Sequence, residues 1–99
     1  MGKYTSNINN NILTFCFEGE LDTLACMEFE EELLRSIKSH KGKTCFDMEK
    51  VNYIASSFIR LCGSAATFIG SKNLSLLNLN KEIKKNLTRI GLASVLNIE

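Results

Sequence analysis

The sequence predicts a single α/β domain over residues 1–99, built as a mixed and mostly parallel β-sheet covered by helices. Three observations carry this reading. A chain of 99 residues has the length of one small domain with one core. Its apolar residues switch several times between strand-like alternation and helical spacing. After an opening hairpin, strands and helices alternate, and a helix between two sequential strands implies a crossover and a parallel pair.

Taken in order, "KYTSNINNN" supplies a short edge strand that turns back through its asparagines, which tolerate the left-handed conformations of tight turns. "NILTFCFEGEL" alternates and is rich in Phe, Ile and Thr, a strand over about residues 11–18, broken by Gly19. From Thr23 the period becomes helical. Cys26, Phe29, Leu33, Leu34 and Ile37 share one face, Asp22 or Thr23 caps the start, and the early glutamates suit its positive end. Glu31 and Arg35 form an i,i+4 pair. Gly42 breaks the chain in "SHKGK", and "TCFDM" is a short strand before "EKVNYI".

A second helix runs from Ser56 to about Ile69 and ends at Gly70. Leu74 to Leu79 reads as a strand with apolar residues on both faces. Asn80 caps a third helix over residues 81–89, whose apolar positions are Ile83, Leu87 and Ile90. "GLASVLNIE" closes the chain with a turn and room for one more strand.

Composition narrows the function. A net charge of +1 argues against a general nucleic-acid binder, which carries a basic stripe. The charge is uneven: residues 1–50 carry six Lys/Arg against nine Asp/Glu, and residues 51–99 carry six against two. Such polarity suits docking to a charged protein partner. Cys16, Cys26, Cys45 and Cys62 lie far apart in apolar stretches, as core thiols do. The single histidine, His40, stands alone in a polar turn, so no metal site is expected. No apolar run is long enough to span a bilayer, and no basic-then-apolar signal opens the chain. Reduced cysteines without a signal point to the cytoplasm.

The join between the second long strand and the second helix reads "NYIASSFIR". Ser56 or Ser57 can act as N-cap there, worth about 1 kcal/mol relative to alanine. One cap accounts for one serine, not two. A hydroxyl at a helix start can also accept a phosphoryl group, since the unpaired N–H groups and the helix dipole favour anions. Arg60, four residues beyond Ser56, is one turn away and can pair with such a group. Catalysis has no support: a nucleophilic serine needs a base, and neither a phosphate-binding loop nor any cofactor motif is present.

Four stretches in order bring in a known family. "GELD" at 19–22, "CFDMEKVNYI" at 45–54, "ASS" at 55–57 and "RIGLASVLNI" at 89–98 resemble the STAS domain of bacterial anti-sigma-factor antagonists and sulfate-transporter C-terminal domains. The resemblance covers essentially the whole chain. It implies a partner-switching module that binds a serine-kinase-type anti-sigma factor, with no cofactor, until that kinase phosphorylates the switch serine. By position, the phosphoacceptor is Ser56, Ser57 lies beside it, and Arg60 belongs to the switch neighbourhood. Asp22, Asn80 and Lys81 fall on the partner-facing rim. Two positions depart from the family pattern: Ala55 stands where the family has aspartate, and Phe58 where it has glycine. Phe58 is either a filler of the core or a partner-facing anchor. The alternative function is a diverged STAS module without a phosphoswitch, a constitutive scaffold or accessory subunit of a transporter.

Overall fold

The computed structural model describes residues 2–91 and 97–98. Its elements are β1 (Lys3–Asn9), β2 (Ile12–Leu21), α1 (Thr23–His40), β3 (Thr44–Ile54), α2 (Ser56–Ile69), a 3₁₀ turn (Ser71–Asn73), β4 (Leu74–Leu77), α3 (Lys81–Arg89) and β5 (Asn97–Ile98). The strands lie in sequence order in one five-stranded sheet. β1 pairs antiparallel with β2, and every later pair is parallel. This is the expected mixed sheet, with its opening hairpin closed by Asn10 and Asn11 at φ 52° and 68°. Positive φ at both central residues is what a two-residue turn needs to match strand twist.

Several boundaries differ from expectation. β2 does not stop at Gly19. The strand absorbs it with register shifts at Cys16/Glu18 and Gly19/Glu20, and Gly19 takes φ 89°. A bulge costs less here than losing the pairs Glu20–Tyr53 and Leu21–Ile54, which carry both strands to the join. β3 is likewise one strand of 11 residues rather than a short strand and a lead-in. β4 ends at Leu77, short of Leu79. Lys41 rather than Gly42 takes the left-handed position after α1, with φ 55°. No acidic residue lies in the first turn of α1, because the glutamates begin only at Glu28. His40 closes that helix rather than standing in a turn, with its Nε2 2.9 Å from the Asn11 carbonyl oxygen.

Burial alternates along β2, the first half of β3 and β4, so one face of the sheet is packed and the other half-open, while the edge strand β1 is mostly exposed. On the packed face Phe15, Phe17, Phe46 and Phe58 form an aromatic centre, with Phe17 edge-on to both Phe46 (5.1 Å) and Phe58 (5.2 Å). Tyr4 joins it edge-on against Phe15 and Phe29 and donates to Glu32 at 2.6 Å. Burial, helped by that carboxylate, pushes the Tyr4 hydroxyl up to about 12. α1 supplies Cys26, Phe29, Leu33 and Ile37, as its spacing requires; α2 supplies Phe58, Leu61, Cys62 and Ala65. Cys16 and Cys45 face the other side and are only half-buried, so two of the four thiols lie outside the core. In β4 only Leu74 and Leu76 are buried, because the strand is packed on one face, not both. Ile90 falls beyond the last turn of α3 and is exposed, while Ile83 and Leu87 are buried.

Candidate functional site

Three helices begin where three neighbouring parallel strands end. β2 and β3 finish side by side at the pair Leu21–Ile54. α1 then starts from Asp22 and α2 from Ala55, while α3 starts from Asn80 after β4. Ligands and partners of parallel sheets are met at this carboxyl end of the strands.

Two of the three starts are closed by their own side chains. The Asp22 carboxylate accepts from the Ala25 N–H at 2.8 Å. The Asn80 amide oxygen accepts from the Ile83 N–H at 2.8 Å, and its amide nitrogen donates to the Val51 carbonyl at 3.3 Å. These two residues, expected on the partner-facing rim, each use a side-chain oxygen as a helix cap, and Asn80 also ties back to β3. Lys81 is the first residue of α3 and is exposed.

The third start is bare. Ala55, not a serine, occupies the N-cap position of α2, and no side chain caps the helix. The expected serine cap is therefore absent, because both hydroxyls come one and two residues too late to fold back onto the second or third N–H. The Ala55 N–H donates to the Leu21 carbonyl at 2.9 Å, tying the join to the end of β2. Its carbonyl accepts from the Phe58 N–H at 3.0 Å. The N–H groups of Ser56 and Ser57 have no acceptor among the described residues.

The adjacent serines have opposite surroundings. Ser56 is exposed, and its side chain makes no hydrogen bond among the described residues. Ser57 is 8% exposed and its Oγ is buried without a hydrogen-bond partner. The Cys26 thiol of α1 is an electrostatic neighbour of that hydroxyl rather than an aligned partner. Burial raises the Cys26 thiol, partly offset by Ser57. Cys62, deeper in the core, is pushed well above its ordinary value by burial and by Cys26. Neither thiol is set up as a nucleophile. Arg60 is exposed one turn beyond Ser56.

Phe58 is fully buried against Phe17 and Phe46, so the partner-facing reading of that ring is overturned. The position lies on the core face of α2, where a large ring fills space between the two central strands. Exposed apolar side chains near this edge are instead Leu24 and Met27 on the first turns of α1, and Tyr53 at the end of β3. Leu24 and Met27 were legible as residues outside the Cys26–Phe29–Leu33–Ile37 stripe, although nothing in the pattern marked them as contacts. The closing segment that resembles the family over 89–98 lies partly outside the described residues, at 92–96.

No helix among the described residues is long and apolar enough to cross a membrane. No group of three or more His, Cys, Asp or Glu there could hold a metal ion.

A sheet of this order, with three helix starts gathered at one end, defines a class of small α/β modules. The family model of the STAS domain matches residues 3–99, and the chain belongs to that family. No curated protein matches the sequence. Among solved structures, a putative anti-sigma factor antagonist from Thermotoga maritima is similar at a TM-score of 0.78 and 14% identity, over 96% of this chain and 84% of that one. The Bacillus cell fate determinant SpoIIAA in its phosphorylated form is similar at 0.75 and 16%, over 98% and 91%. A serine-to-glutamate variant of RsbS from Moorella thermoacetica is similar at 0.74 and 19%, over 98% and 86%. At these identities the likeness is one of fold.

Proposed function

We propose that residues 1–99 form one cytoplasmic regulatory binding module of the anti-sigma-factor-antagonist kind, switched by phosphorylation of Ser56 in a partner-switching pathway. The carrying observation is the exposed, unbonded hydroxyl of Ser56 at the start of α2, which, unlike the starts of α1 and α3, no side chain caps. Membership of the STAS family and likeness to a phosphorylated SpoIIAA support the reading.

The chemistry is electrostatic. A phosphate on Ser56 brings a charge of about −1.5 to −2 and three acceptor oxygens. The free N–H groups of Ser56 and Ser57, the helix dipole and the Arg60 guanidinium lie within the same turn to receive it. The partner is a serine-kinase-type anti-sigma factor, docking over the edge that carries Leu24, Met27, Tyr53 and Lys81. Once charged, that edge must be desolvated on docking, which weakens the complex.

A second reading is favoured by Ala55. Without a carboxylate before the serine, the module serves as a constitutive scaffold or transporter accessory subunit, and Ser56 is merely a surface residue. Intact-mass analysis of the protein from its own host, with the site mapped by fragmentation, separates the two. A phosphate on Ser56 supports the switch. Binding of a captured partner by Ser56→Ala but not by Ser56→Asp is the second expected result. Equal binding by both variants, with no phosphate in any growth state, would leave the scaffold reading.

A further inference from the structure

The two margins of the sheet are unequal. Among the described residues β5 spans two residues, whereas β1 offers seven. The Asn10–Asn11 turn closes on the pair Asn9–Ile12, so those residues exchange ladder bonds, and by alternation so do Asn7, Thr5 and Lys3 with β2. The main-chain N–H and C=O groups of Tyr4, Ser6 and Ile8 therefore point out of the sheet. Outside the β1–β2 ladder, no backbone hydrogen bond to them is present among the described residues.

Exposed edges are normally protected by proline, a bulge or charge. β1 has no proline, keeps an unbroken register with β2, and carries one charge, Lys3, at its very start. Tyr4, Ser6 and Ile8 lie on the helix-covered face, opposite Phe17, Phe15 and Leu13. Ile8 is nevertheless 62% exposed, because nothing among the described residues covers the margin beyond it.

The geometry points to β1 as the contact through which two copies of this chain pair, antiparallel about a two-fold axis at Ser6, joining the two sheets edge to edge. This goes beyond the switch reading and does not depend on it. In that register Ser6 faces Ser6 and Tyr4 faces the second copy's Ile8, and the residues with outward main-chain groups are the ones that meet. Lys3 falls opposite Asn9, so no like charges oppose each other. The Tyr4–Ile8 pair is the aromatic–aliphatic cross-strand contact that stabilises sheets, and it is made twice, covering both exposed isoleucines.

Charge agrees with this arrangement. Glu32 is held beside Tyr4 by the 2.6 Å hydrogen bond, and Glu28 lies near it in the groove between β1 and α1. Arg35, ion-paired with Glu31 at 3.0 Å, lines the continuation of that groove beside Ser6 and Ile8. Pairing Tyr4 with Ile8 brings Glu28 and Glu32 of one copy toward Arg35 of the other, with Lys3 lining the first half of the groove and Glu31 paired to Arg35 in the second. The two-fold closes the assembly, so the contact does not propagate into a fibre.

Sedimentation equilibrium of the whole chain tests this, with amide hydrogen exchange on the same samples. The expected result is a mass rising with concentration to twice that of the chain, with slowed exchange at Tyr4, Ser6 and Ile8. Ile8→Lys, at an exposed position, is expected to keep the fold and lose the dimer. Ser6→Pro removes an outward N–H without touching the β2 ladder, as edge strands permit, and is expected to do the same. A monomer at every concentration overturns the proposal. So does a dimer that both variants leave intact, since the contact would then lie elsewhere.

Discussion

The starts of α1 and α3 differ from the start of α2 in what holds them. The first two are secured by a side chain one position before the helix, Asp22 and Asn80, each bonded to an N–H three residues on. α2 has no such device. It is held by a backbone bond from Ala55 to Leu21 and by the ring of Phe58 in the aromatic centre. A locally capped start consumes its polar groups. A start anchored from the core leaves its N–H groups and the Ser56 hydroxyl available. The bare helix end is thus both the site's chemistry and the reason that the site needs Phe58 beneath it.

The comparison is broken most forcefully by removing the anchor. Phe58→Ala is expected to cost about 3–5 kcal/mol in denaturant unfolding, through lost burial and a cavity between Phe17 and Phe46. A loss below about 1 kcal/mol would mean that the ring does not hold α2 in place. Next come the caps. Asp22→Ala is expected to cost about 1 kcal/mol, and Asn80→Ala more, because it also strands the Val51 carbonyl. Equal, negligible losses would erase the distinction between the capped starts and the bare one.

The converse change sharpens it. Ala55→Asp supplies the missing cap and a charge at the positive helix end, and a gain of about 0.5–1 kcal/mol is expected at neutral pH. The gain should vanish when the carboxylate is protonated, since the neutral acid loses its attraction to the dipole and is the poorer acceptor. A stability loss at neutral pH would show that burial at this position outweighs the cap. Smallest of all is Ser56→Ala. An exposed side chain without a hydrogen bond should change stability by less than about 0.5 kcal/mol, which makes any loss of function in that variant a matter of contact or modification.

The order of elements was legible because each carries its own period. α3 came out with its expected bounds from Asn80 and the Ile83/Leu87 spacing, although Ile90, counted with them, lies exposed beyond it, and the hairpin came from its run of asparagines. Misread positions were those where pairing overruled a local signal. Gly19 looks like a breaker, yet β2 and β3 gain more by bulging around it and continuing to Leu21 and Ile54. Leu77 and Leu79 looked like a second buried face of one strand, but β4 ends at Leu77, which is only half-buried, and Leu79 packs against the core from beyond the strand. At the site, the two serines were visible and their difference was not. "ASSF" says a helix starts there, but not which residue sits at the cap, and shifting that position by one exchanges the exposed serine for the buried one.

Local chemistry alone therefore determined that this chain alternates strands and helices around a single core, that one helix begins at Asp22 or Thr23 and another at Asn80, and that two hydroxyls sit at the remaining helix start. These follow from side-chain periodicity and from groups that bond within three or four residues. Tertiary structure decided the rest: that Ala55 is the cap residue, that Ser56 faces outward while Ser57 lies against Cys26, and that Phe58 belongs to the core. The reason is that the phase of α2 is set by what its ring packs against, Phe17 and Phe46, residues 41 and 12 positions away in sequence. No local preference in Ala-Ser-Ser encodes a contact made across that distance.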